Sequence, residues 1–219
     1  ASSSPCFPMY FVHAFGTGAS FTKVEYDNFD SFDLNKLIEA TSKNTSLVFL
    51  ANPNSPYGDW KQEKEIEKVC DFFSKKGIVI VIDEAYVDFS PGTCVELTKK
   101  YKNVIISRTF SKAWGAAGAR VGYLIGSKEL ISTIGNIQLT YPISGASIKF
   151  ASALLKDKKN VESYVLETVK SREALCDLLE SSGYDVLRSH TNSIHFHEKI
   201  GDNQKPISIL ENHDLSFKC

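Results

Sequence analysis

An α/β fold is predicted: three layers, with a mostly parallel sheet covered by helices on both faces, followed by part of a small α+β domain. Three observations carry this expectation. The runs SLVFLA (46–51), IVIVI (78–82) and VII (104–106) are apolar without alternation, which requires burial on both faces. Stretches with helical periodicity separate them, giving the strand–helix–strand order of parallel sheets. After Ile125 the pattern changes to helices, the last a long one from Lys159, followed by two short strand-like runs. The chain is accordingly divided into a large domain, 1–158, and an incomplete small domain, 159–219.

The elements follow in order. Residues 7–15 place aromatic and apolar side chains at the spacing of a short helix, closed by Gly16 and Gly18, and 20–26 alternates like a strand. Asp33 caps a helix reaching about residue 42, with Leu34, Leu37 and Ile38 on its apolar side. The strand at 46–51 is stopped by the turn residues NPNSPYG, 52–58. A helix over 61–76 lines up Ile66, Val69, Cys70 and Phe73 and ends at Gly77. The strand at 78–82 runs directly into Asp83, Glu84, Ala85 and Tyr86, and a short helix over 94–101 leads to the strand at 104–106. A second strand-like run, 121–125, follows a loop. Helices are expected at 128–139, 147–155 and 159–182, the last closed by Gly183. Strands at 184–187 and 193–197 and a helix at 206–212 complete the chain.

Bulk properties exclude several functions. With 219 residues, 42% hydrophobic and 23% charged, the composition is that of an ordinary globular protein. A formal net charge of −1 leaves no footprint for nucleic acid or an anionic membrane surface. No apolar run approaches membrane-spanning length, and the opening residues lack the pattern of a signal peptide. The five cysteines form no CxxC pair and read as reduced thiols of a cytoplasmic protein. His195 and His197 share one face of a strand, but two histidines without a third ligand do not define a metal site.

In parallel α/β sheets ligands bind beyond the carboxyl ends of the strands. The polar clusters after Ala51, Ile82 and Ile106 all stand at such ends and converge on one site. Its centre is Lys112, in a loop of small residues between two apolar runs, with Thr109 and Ser111 before it and Arg120 eight positions after. A lone loop lysine is ordinarily a solvated charge. Here hydroxyls and a guanidinium flank the amine, which suits covalent chemistry beside a phosphate. If Lys112 forms a Schiff base with an aldehyde cofactor, Arg120, Thr109 and Ser111 are placed to hold a phosphate. Asp83 would keep a pyridine nitrogen protonated, an attraction of roughly 5 kcal/mol at contact before desolvation. Tyr86 would reach a phenolic oxygen and Phe7 would stack on the ring. Read alone, Asp83 could be a helix cap, Phe7 a core residue, and Asn54 and Ser55 mere turn formers.

Together these residues resemble one family. ANPNSPYG (51–58), DEAYVDF (83–89) and RTFSKAWGAAGARVGY (108–123) are similar to the motifs of fold-type I pyridoxal-phosphate aminotransferases, specifically the histidinol-phosphate aminotransferase group. Three motifs in order, each at a strand end, make a specific signal. The likeness covers nearly the whole chain and is weakest after Tyr184. It implies pyridoxal 5'-phosphate as cofactor, carried by Lys112, which also shuttles the proton. It further implies Asp83 at the pyridinium nitrogen, Tyr86 at the ring oxygen, Thr109, Ser111 and Arg120 at the phosphate, and Phe7 against the ring. Asn192 matches an asparagine near the start of the family's small domain. The family's asparagine contact to the ring oxygen falls at Ser55 here, so either Asn54 substitutes or the contact is lost. The implied substrates are a phosphorylated amino alcohol or similar amine and 2-oxoglutarate or glutamate, and the implied assembly is a homodimer. Family segments before Ala1 and after Cys219 are expected to complete the site. A related decarboxylase, or a shortened chain without activity, is the alternative.

Overall fold

The computed structural model describes residues 1–27 and 31–198; the helix expected at 206–212 lies outside them. A six-stranded sheet has the order β2-β1-β3-β4-β5-β6, with β1 Ser2–Ser4, β2 Lys23–Glu25, β3 Leu47–Ala51, β4 Val79–Asp83, β5 Val104–Thr109 and β6 Gly122–Gly126. The first five strands are parallel and β6 returns antiparallel to β5. A separate antiparallel pair, β7 Tyr184–Leu187 and β8 His195–Glu198, follows the long helix. The expected α/β class is therefore the one observed.

One face of the sheet forms the core. Val48, Leu50, Ile80, Ile82, Val104 and Ile106 alternate onto it and meet Ile66, Val69, Cys70 and Phe73 of α3, Glu63–Lys76. Those four α3 residues recur at three- and four-residue spacing, which makes one stripe on a helix. The helix is locally well specified. Gln62 and Glu65 form a reciprocal capping box, Glu63 and Glu65 occupy the positive end, Lys75 and Lys76 the negative end, and Gly77 closes it at φ 68°. Helix α2, Asn35–Glu39, adds Leu37, and α4, Leu97–Lys100, adds Leu97. The second face is half-buried rather than sealed: Tyr10 of α1, Met9–Gly16, stacks on Phe49, while Leu47 is 38% exposed.

Several elements differ from expectation: the strand at 20–26 narrows to Lys23–Glu25, the helix at 94–101 to Leu97–Lys100 and the helix at 128–139 to Lys128–Gly135, and two differences go further. Strand β1 was not anticipated, because three serines carry no strand propensity; yet Ser2 and Ser3 are buried between β2 and β3. The helix expected from Asp33 to about residue 42 shortens to α2, with the Asp33 carboxylate accepting from the Asn35 backbone N–H at 2.9 Å.

Helices α5 Lys128–Gly135 and α6 Gly145–Lys156 precede α7 Lys158–Ser181, and the break between α6 and α7 falls at Asp157. Cys176 and Leu179 of α7 and Tyr184 of β7 are buried. The segment before β8 then returns to the turn after β3: the His190 N–H donates to the Gly58 carbonyl at 2.8 Å, and Trp60 packs against His190. Gly58 sits at φ 77°, and a Cβ there would come within 2.4 Å of the Ser189 Cβ and 2.7 Å of its Cα. Gly58→Ala should therefore cost about 2 kcal/mol or more, from overpacking and left-handed strain together. Urea unfolding checks this, and a variant as stable as the wild type would refute the close approach.

Candidate active site

The register aligns three strand ends. Ala51 pairs with Asp83, and Asp83 with Ser107, so the segments after β3, β4 and β5 leave the sheet along one carboxyl edge. This is the convergence expected from the polar clusters.

Asp83, the last residue of β4, points to the half-buried face. Its Oδ1 accepts from the Ala85 N–H at 3.1 Å and its Oδ2 from the Tyr10 hydroxyl at 2.6 Å. Burial raises the pKa of the carboxyl, while Tyr10, the Ala85 N–H and the charge of Lys112 oppose that rise. The sign has a consequence for stability. A carboxylate whose folded pKa is raised contributes stability that is fully present below its unfolded value and is lost as pH rises through the folded value. An ionised Asp83 is thus a cost that a bound cation would offset.

Lys112 lies in the loop between β5 and β6. Gly115 N–H donates to the Lys112 carbonyl at 2.9 Å and Ala116 N–H to that of Phe110 at 2.9 Å, which closes a tight turn around the lysine. Phe110, Ala116 and Val121 anchor the loop against Ala151 of α6. The ammonium stands 4.9 Å from the centre of the Tyr86 ring, so sequence-predicted Lys112, Tyr86 and Asp83 are brought together.

The hydroxyls of Thr109 and Ser111 are 2.9 Å apart, and the Ser111 N–H donates to Thr109 Oγ1 at 3.0 Å. Arg120 is exposed, in the left-handed conformation at φ 54°, and donates to the Ala117 carbonyl at 3.1 Å. Phe7 is 54% exposed, with its ring edge-on to Tyr10 at 5.7 Å. Asn54 is buried, and its amide nitrogen faces the Pro5 carbonyl at 3.2 Å and the Tyr26 hydroxyl at 2.5 Å. In this arrangement its N–H groups secure the turn rather than face outward. Asn192 is exposed beside Thr191, whose carbonyl accepts from the buried Arg172 at 2.7 Å.

Two contributors escaped the sequence reading. Tyr10 is one; the signal was its position three residues after Phe7, which puts both rings on one side of the chain entering α1. Glu84 is the other. Strand alternation turns it to the face opposite Asp83, where it is fully buried. It accepts from Arg108 Nε and Nη2 at 2.9 and 2.8 Å, from the Thr93 hydroxyl at 2.8 Å and from the Cys94 N–H at 2.5 Å. Asp83–Glu84 and Arg108–Thr109 are adjacent pairs on adjacent strands, so this ion pair ties together the strand ends that carry the site. Among the described residues, no group of three His, Cys, Asp or Glu side chains is arranged to hold a metal, and no helix is long and apolar enough to cross a membrane.

A buried carboxylate within the field of a lysine, with paired hydroxyls one strand away, offers an anion for a cationic ring nitrogen, an amine for an aldehyde and donors for a phosphate. The family model described as aminotransferase class I and II matches residues 1–213, and the chain belongs to that family. It is 38% identical over 194 residues to histidinol-phosphate aminotransferase 1 of Carboxydothermus hydrogenoformans, covering 88% of this chain and 54% of that protein. Among solved structures it is similar to the Sinorhizobium meliloti histidinol-phosphate aminotransferase in complex with pyridoxal-5'-phosphate, at 30% identity and TM-score 0.80, covering 89% of this chain and 54% of that one. The Clostridium acetobutylicum histidinol-phosphate aminotransferase matches at TM-score 0.85 and 25% identity, over 98% of this chain and 66% of that one. The chain thus spans about half the length (54%) of the curated relative compared.

Proposed function

We propose that this chain carries the cofactor site of a pyridoxal-phosphate-dependent aminotransferase of the histidinol-phosphate type. It would move an amino group between a phosphorylated amino alcohol or similar amine and 2-oxoglutarate or glutamate. The observation that carries the reading is the approach of Lys112, Asp83 and Tyr86 at one sheet edge, beside the Thr109–Ser111 hydroxyl pair. The donor set fits the group. Lys112 supplies the amine for its aldehyde carbon, Asp83 the anion for its ring nitrogen, and Thr109, Ser111 and Arg120 the donors for its phosphate.

When bound, the cofactor supplies an electron sink for breaking a bond at the substrate's α-carbon. This chain's residues do the rest. Lys112 holds the cofactor and carries the proton to and from the reacting carbon. Asp83 would hold a proton on the ring nitrogen, Tyr86 would donate to the ring oxygen, and Phe7, 54% exposed, would offer its ring for stacking. Both N–H groups of Asn54 are engaged, by Pro5 and Tyr26, so donation to the ring oxygen would need one of them released. The division at 158/159 is supported by the break at Asp157. A homodimer is supported by the stretch between α5 and α6, where Ile137 and Tyr141 are 86% and 90% exposed and apolar enough to favour a second copy. A cytoplasmic location agrees with the unpaired Cys6, Cys70, Cys94 and Cys176.

The deciding experiment is incubation with pyridoxal phosphate, borohydride reduction and peptide mass analysis. A pyridoxyl mass on Lys112 is expected. Its absence, or its appearance on other lysines only, overturns the reading.

A further inference from the structure

Asp83 has a hydrogen-bond donor that comes from a distant part of the chain. Tyr10 lies 73 residues earlier, in α1, and its hydroxyl donates to Asp83 Oδ2 at 2.6 Å. The ring has little freedom. It stacks on Phe49 of β3 with centres 4.6 Å apart and planes 9° from parallel, it meets Phe7 edge-on, and it is 7% exposed.

We propose that Tyr10 is a positioning residue for the cofactor site: its hydroxyl orients the Asp83 carboxylate and keeps it ionised, so that Asp83 can hold the proton on the cofactor's ring nitrogen. The cofactor half of this rests on the reading given above.

The physical case begins with burial, which penalises the charged form of Asp83. The groups facing that carboxylate are Tyr10 from α1, the Ala85 N–H from its own strand end and Lys112 from the β5–β6 loop, with Tyr86 beneath Lys112 and Cys6 beside Tyr10. All three direct partners favour the ionised form. Lys112 is the amine committed to the aldehyde, so its charge is not a fixed part of the site. The Ala85 N–H reaches only Oδ1. Tyr10 is therefore the fixed side-chain donor on Oδ2. It is also a durable one, because burial and the neighbouring carboxylate push its own hydroxyl pKa upward and keep the proton on oxygen. A hydrogen bond to a charged group is among the stronger single contacts, and one that fixes orientation as well matters most where an anion must meet a ring nitrogen.

Tyr10→Phe keeps the ring and its stack on Phe49 and removes only the hydroxyl. The test is urea unfolding of the wild type, Tyr10→Phe, Asp83→Asn and the double variant from about pH 4 to about pH 8. The loss from Tyr10→Phe should grow as pH rises through the titration of Asp83, because the hydroxyl favours the ionised form. In the Asp83→Asn background that loss should shrink and lose its pH dependence. An equal loss at every pH and in both backgrounds would mean that Tyr10 only packs, and would overturn the proposal. Absorbance titration with pyridoxal phosphate is the second arm: Tyr10→Phe should bind about tenfold more weakly, and unchanged affinity overturns the positioning role. If the wild type takes up no pyridoxal phosphate while the pH-dependent coupling persists, the cofactor reading falls and the assignment of Tyr10 to Asp83 stands.

Discussion

Lys112→Ala should leave no reducible pyridoxyl adduct and should reduce any transamination by at least about 10²–10⁴-fold, the share expected from the proton-transfer role alone. The effect is large because one amine is assigned two tasks, attachment and proton transfer, and none of the residues found beside it offers a second amine. The fold should survive. Lys112 is partly exposed, and the contact with the Tyr86 ring at 4.9 Å is worth about 0.5–1 kcal/mol. Lys112→Arg separates the two contributions, since it keeps a cation over Tyr86 but cannot condense with the aldehyde. Both variants are expected to unfold near the wild-type urea midpoint and to give no adduct by mass. An adduct of undiminished yield in Lys112→Ala would refute the assignment.

Glu84→Ala should destabilise the chain by about 3 kcal/mol, the lower end of the cost of breaking a buried ion pair. The lower end applies because the Arg108 side chain retains 23% exposure and reaches water, whereas that of Glu84 retains none. Removal of the carboxylate also leaves the Thr93 hydroxyl and the Cys94 N–H without their acceptor. Glu84→Gln keeps the shape and one oxygen, and should fall between the wild type and alanine. Denaturant unfolding measures both, and a loss below about 0.5 kcal/mol for the alanine variant, within the range of ordinary surface changes, would sink the claim. Because Glu84 follows Asp83 and Arg108 precedes Thr109, the variant should also weaken cofactor uptake without touching a residue proposed to contact it.

The site was legible to different depths. Lys112, Asp83, Tyr86, Thr109 and Ser111 could be read from the chain because each sits at or just beyond an apolar, β-branched run, and such runs announce strands through local propensity alone. Parallel packing then places their ends together, as the pairing of Ala51 with Asp83 and Asp83 with Ser107 shows. Glu84 was visible only as part of a motif. Its role depends on strand parity, which sends neighbouring acids to opposite faces, and on an arginine 24 residues away. Asn54 shows the reverse: the sequence offers it to the cofactor, while the fold turns its amide to Pro5 and Tyr26.

Local chemistry was enough to identify strands β3, β4 and β5, the amphipathic face of α3 and its closing Gly77, and the motifs that point to the aminotransferase family. These rest on neighbours a few residues apart. Strand β1 could be found only in the folded chain, since buried serines become a strand by pairing with β2 and β3 and not by their own preference. The Tyr10–Asp83 hydrogen bond is the extreme case, because no periodicity links residues 73 positions apart. Backbone pattern acts over single turns and strands, whereas the orientation of a buried carboxylate depends on which distant elements the sheet order brings against it.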